Sequence, residues 1–146
     1  MRIYVTKMTF SDKDEDATYF SKAYALMDAL KEHGHEIVYI TDKSFLNFHY
    51  VGIFKELASC DCLLAFADKY TLSSSWRLTE ITYALLCHGI TWEHLNKGFH
   101  IPVFVYRGLD DHDSPFIRET IEQPDVYLLP NKIGNAADFI NNLQNT

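Results

Sequence analysis

The stretch "TLSSSWRLTEI", residues 71–81, gathers side chains able to do chemistry: three serines, a tryptophan, an arginine and a glutamate ahead of an apolar helical pattern. A helix is predicted over 75–88, with Glu80 about one turn inside it, where the aligned backbone amides favour a negative charge. Trp76 precedes Glu80 by four residues, so indole and carboxyl share one helix face. An indole beside a carboxylate makes a partly desolvated acid and a flat wall for a heterocycle. A solvated capping acid is the ordinary alternative, but the arithmetic of a capping box fails. The residue three before Glu80 is Arg77, and a cap at Ser75 would place Leu78 where the acid belongs. The capping box does not account for Glu80, which needs another role.

The neighbours of Glu80 are weaker candidates. Ser74, with Ser73 and Ser75, either caps the helix or hydrogen-bonds sugar or phosphate oxygens. Asp68 closes an apolar strand just ahead of the stretch, at an edge where a ligand would sit. No glycine-rich phosphate loop and no Gly-x-Ser-x-Gly elbow is present, so Rossmann, Walker and serine-nucleophile readings find no support. A response-regulator site keeps its acid at Asp68 but lacks the acidic pair after the first strand, and Lys132 follows the last strand only after Pro130. Arg107 and the run "DDHD" (110–113) read as a loop, with Arg107 a possible phosphate partner.

No metal site is expected. Cys60 and Cys62 are one residue apart, which fits neither redox nor zinc spacing, and His33 and His35 sit in a helix-to-strand turn. Cys60, Cys62 and Cys87 read as buried thiols of a cytoplasmic protein.

The elements that must position these residues follow from pattern. At 146 residues, 47% apolar and 23% charged, the chain is expected to form one domain over 1–146 with one sizeable core. A net charge of -7 disfavours nucleic acid and anionic membranes as partners; no apolar run is long enough to span a bilayer, and the first residues lack signal-peptide architecture. Strands are predicted at 2–6, 36–40, 62–67, 101–107 and 125–129. Between them lie a helix with Phe20, Ala23, Tyr24, Met27 and Leu30 inward, a short helix around Ile53 and Leu57, the helix at 75–88, and a closing helix over "NAADFINNL". Alternating strands and helices point to a flavodoxin-like α/β fold, three layers deep, with a five-stranded, mostly parallel sheet in the order 2-1-3-4-5. Ligands in such sheets bind past the carboxyl ends of the strands where the order reverses, here between strands 1 and 3.

These residues resemble those of two families. "IFKELASCDCLLAFADKYTLSSSWRLTEI" (53–81) resembles the matching segment of bacterial TIR (Toll/interleukin-1 receptor) domains, whose loop ends Ser-x-Trp-x-x-x-Glu-apolar; here these are Ser74, Trp76, Glu80 and Ile81. "SDKDEDATYFSKAYALMDALKEHGHEIVYITD" and "HIPVFV" resemble its flanks. The resemblance implies cleavage of the nicotinamide–ribose bond of NAD+, by hydrolysis or cyclisation, in signalling or defence. It also implies Glu80 as the catalytic residue, Trp76 and Ser74 as substrate contacts, NAD+ as substrate with no cofactor, and self-association into homo-oligomers. The second resemblance is to nucleoside 2-deoxyribosyltransferases and deoxynucleotide N-glycosidases, through "MRIYVT", "HGHEIVYI" and Glu80 followed by "TYALLCHG". It implies a nucleoside or nucleotide substrate, a glycosyl-enzyme on Glu80, and Tyr4 supporting that nucleophile. A third possibility is a non-catalytic interaction module on the same fold.

Overall fold

The computed structural model describes residues 1–6, 20–38, 56–73, 75–89, 101–110 and 113–144, apart from the side chains at 70, 73, 75, 76 and 85–89. In chain order the elements are β1 (Arg2–Thr6), α1 (Ser21–Glu32), β2 (Glu36–Val38), β3 (Cys62–Phe66), α2 (Lys69–Ser73), α3 (Ser75–Gly89), β4 (Val103–Tyr106), α4 (Pro115–Thr120), β5 (Val126–Leu128) and α5 (Ile133–Gln144). The strands form one sheet in the order β2-β1-β3-β4-β5, and every pairing is parallel. The predicted order holds. No helix among the described residues is long and apolar enough to cross a membrane.

Side-chain alternation along the strands builds two cores, one on each face of the sheet. Ile3, Val5, Cys62, Leu64, Phe66, Phe104 and Tyr106 turn one way, against Leu26, Met27 and Leu30 of α1 and Ala136, Ala137 and Ile140 of α5. Tyr4, Leu63, Ala65, Val103 and Val105 turn the other way, against Leu57, Ile81 and Ala84 of α3, and Ile117 of α4. All five residues of β3 are buried, as its continuous apolar run requires of a central parallel strand.

Helix boundaries have local causes. Gly34, at φ 86, follows the C-cap His33 of α1, and its amide donates to the Lys31 carbonyl at 2.9 Å. A residue without Cβ takes this left-handed position at no steric cost. Ser114 caps α4 by accepting the Ile117 amide at 3.2 Å, with Pro115 opening the helix. Asp68 does the same for α2, its Oδ1 accepting the Thr71 amide at 2.6 Å.

Three expectations need correction. Tyr24 is 43% exposed, and Leu26 takes the inward place beside Ala23, Met27 and Leu30. Residues 69–73 and 115–120, for which no element was expected, form α2 and α4. Neither is long enough to display a helical period in sequence. The predicted positions at 39–40 and at Ile53 lie outside the described residues.

Candidate active site

The chain reverses its winding between β1 and β3. The connection leaving β1 leads to α1 on one face of the sheet, whereas the connection leaving β3 leads to α3 on the other. Between two such crossovers a crevice opens at the carboxyl ends of the strands. Alternation along β1 turns Tyr4 toward the face covered by α3, and the first turns of α3 bring Glu80 onto the same side.

There the two side chains meet. The Tyr4 hydroxyl donates to Glu80 Oε1 at 3.0 Å, across 76 residues of sequence. Arg77, one turn earlier on α3, donates from Nη1 to the same oxygen, also at 3.0 Å. Glu80 is 1% exposed and Arg77 8%. The second carboxyl oxygen, Oε2, is buried and has no hydrogen-bond partner among the described residues. Leaving a buried oxygen without a partner costs about 1–3 kcal/mol.

Burial is also what sets the charge state of the pair. Removal from water pushes the Glu80 carboxyl up to about 7, while the Arg77 cation, and then the hydrogen bonds from Tyr4 and Arg77, pull it back toward the ionised form. Tyr4 is driven far upward, first by its own burial and then by the adjacent carboxylate, so its hydroxyl remains a proton donor at neutral pH. The arrangement is a carboxyl close to balance between acid and carboxylate near neutrality, with one oxygen held by two donors and the other without a partner among the described residues. Chemically, such a group can attack or stabilise an electrophilic carbon, or give up a proton.

The remaining candidates are placed as follows. Asp68 is 2% exposed at the carboxyl end of β3, with Oδ1 holding the Thr71 amide. Trp76 lies in the first turn of α3 by its backbone; its side chain and the whole of Ser74 lie outside the described residues. Arg77 was not anticipated as a site residue. Its three-residue spacing from Glu80 on a helix was the available signal, since such pairs are neighbours on the helix surface. Cys60 and Cys62 are buried free thiols, pushed up by burial to about 11 and about 12, and are inert at neutral pH. His35 is buried between the Met1 ammonium, 3.0 Å from Nδ1, and Asn141 Oδ1, 2.7 Å from Nε2, where it ties the start of β1 to α5. Among the described residues no group of three or more His, Cys, Asp or Glu side chains could hold a metal ion.

Among solved structures, the chain is similar to the CMP N-glycosidase BcmB of Clostridium botulinum. The likeness has a TM-score of 0.58 at 15% sequence identity and spans 97% of this chain and 99% of that one. No family model matches the chain, and no curated protein matches it. At that identity the likeness shows the fold.

Proposed function

We propose that the chain is an N-glycosidase of nucleosides or nucleotides, with Glu80 acting at the sugar carbon that bears the base. The observation that carries this reading is the buried carboxyl held on one oxygen by Tyr4 and Arg77 while Oε2 has no partner among the described residues. Departure of the base leaves positive charge on the anomeric carbon, and a carboxylate oxygen is suited to meet it. In the balanced reaction water supplies a hydroxyl to the sugar, and its remaining proton goes to the base of a neutral nucleoside or, where the leaving group is a pyridinium, to solvent. The fold likeness to a CMP N-glycosidase and the buried Tyr4–Glu80 hydrogen bond both support this class over an interaction module.

The identity of the leaving group is the finer question. A neutral base needs a proton as it departs, whereas the nicotinamide of NAD+ leaves as a neutral molecule and needs none. Asp68, a second buried carboxyl at this end of the sheet among the described residues, is engaged with the Thr71 amide, which favours a substrate that requires little acid help. NAD+ is thus the second substrate, beside nucleoside monophosphates.

Purified protein incubated with CMP, other nucleoside monophosphates, deoxynucleosides and NAD+, with free base and nicotinamide read by chromatography, tests both. Base release from at least one of them, reduced about 10³-fold or more in Glu80→Gln, is the expected result. A Glu80→Gln variant as active as the parent sinks the mechanism.

A further inference from the structure

We infer that Arg107 is a binding residue of the same site: it grips a phosphate ester on the 5′ carbon of the sugar whose anomeric carbon stands at Glu80, so that phosphorylated substrates are selected over free nucleosides. This rests on the glycosidase reading above and deepens it, since that reading leaves open whether a nucleoside or a nucleotide is the substrate. The ester is common to nucleoside monophosphates and to the nicotinamide half of NAD+.

Three observations carry it. The first is pairing. The chain has four arginines. Arg2 lies against Glu36 and Glu56, Arg77 against Glu80, and Arg118 against Asp113. Arg107 is half-buried and has no hydrogen bond or ion pair among the described residues. The acids that follow it are committed elsewhere: Asp110 Oδ2 accepts the Lys69 amide at 3.2 Å, and Asp113 lies 3.4 Å from Arg118. A guanidinium partly withdrawn from water, with no acid beside it in a chain of net charge -7, presents its planar fork of donors to an outside anion, and phosphate matches that fork.

The second is direction. On β4, Val103 and Val105 turn toward α3, and Phe104 and Tyr106 toward α1 and α5. The alternation runs on past the end of the strand. A Cβ on Gly108 would collide with the Tyr106 ring and hydroxyl, so position 108 turns to the face of Tyr106. Position 107 therefore turns to the face of Val105, which also carries Tyr4 and Glu80.

The third is span. Tyr4 is in register with Leu63, and Leu63 with Val103. Arg107 thus lies two strands across from Tyr4 and four residues nearer the carboxyl edge, roughly 10 Å across the sheet and roughly 13 Å along it. Both side chains are long, which leaves an interval on the scale of a sugar phosphate. On this face the strands carry short side chains in between, Ala65, Ala67 and Val105.

The test uses the full-length protein and substrates that differ only in the ester: CMP with cytidine, and nicotinamide mononucleotide with nicotinamide riboside. The two pairs separate the two sources of the phosphate. In the wild type kcat/KM should be about tenfold or more higher for the phosphorylated member of at least one pair. Arg107→Met should lower that value by about 10- to 100-fold, chiefly through KM, with the loss confined to the phosphorylated member. Arg107→Lys keeps the charge without the fork and should recover only part of it. Equal losses on both members, as a structural role would give, overturn the inference, and so does a wild type indifferent to the phosphate. Calorimetric titration with ribose 5-phosphate and with ribose gives a readout free of turnover: the wild type should bind the first more tightly, and Arg107→Met should lose the preference. Should Arg107→Met fail to fold, Arg107→Lys decides: a loss confined to phosphorylated ligands supports the inference, and unchanged binding and turnover overturn it. Absence of base release by the wild type on every substrate would instead sink the glycosidase reading, and the ribose 5-phosphate titration would still decide for or against Arg107.

Discussion

A carboxyl group moved from water to 1% exposure gives the folded protein a proton that the unfolded chain does not keep. With Glu80 near 7 in the native state and near 4.5 when unfolded, the native state binds the extra proton between those two values. Its contribution to stability is complete below about 4.5 and is lost as pH rises toward 7, by on the order of 3 kcal/mol. Chemical denaturation of wild type and Glu80→Gln from pH 4.5 to 8 reads this as a slope present in the first and missing from the second; parallel curves would refute it. Catalysis runs the other way. If Glu80 reacts as a carboxylate, kcat/KM climbs with pH through about 7, and if it serves as an acid, kcat/KM falls there. The first profile is expected. Tyr4→Phe removes one of the two donors on Oε1 and should move that limb to higher pH. Its stability cost is about 1 kcal/mol, because the phenyl ring keeps the packing. At this scale much was readable from sequence. Glu80 stood out because no capping geometry accounted for it, and Tyr4 was implied by family resemblance. Arg77 was considered only as a residue unable to cap, since its role depends on burial, which a helix spacing does not disclose.

Elements position these side chains through their first turns, and here a short capped helix shares the active edge with the candidate acid. Asp68 has two readings, a cap for α2 and a substrate contact, and they separate by substitution. Asp68→Asn keeps an oxygen for the Thr71 amide, so stability should stay near wild type, whereas Asp68→Ala should lose about 1 kcal/mol. Activity that falls in Asp68→Asn without loss of stability would indicate a second role at the sugar or base; activity that tracks stability in both variants would leave Asp68 a cap. The strands were legible because each pairs a tight apolar run with flanking turn residues, and β3 most of all. The two short helices were not. Lys69–Ser73 and Pro115–Thr120 are five and six residues long, and their ends rest on single side-chain contacts from Asp68 and Ser114. Nor did the spacing on α1 distinguish Tyr24 from Leu26, both of which border an apolar stripe; the packing of α5 against α1 settles which one is covered.

On the scale of the molecule, one parallel sheet separates two cores, and only one of them contains the candidate acid. Leu30 belongs to the core beneath α1 and α5, while Ile81 sits beside Glu80 in the core beneath α3. Both are fully buried, and truncating either to alanine removes a similar volume of apolar side chain. Each should therefore cost about 2–5 kcal/mol. Their effects on chemistry should diverge. Leu30→Ala opens space across the sheet from the site, leaving the Tyr4–Glu80 distance and the pH at which Glu80 titrates as they were. Ile81→Ala loosens α3 one residue after the carboxyl, so the fixed geometry at Oε1 relaxes, water gains access, and the Glu80 midpoint falls toward the ordinary carboxylate range. Paired measurements of unfolding free energy and the kcat/KM pH profile decide the matter. Equal displacement of the profile by both variants would mean that the sheet transmits packing changes between its faces, and that the site is not a property of the α3 side alone.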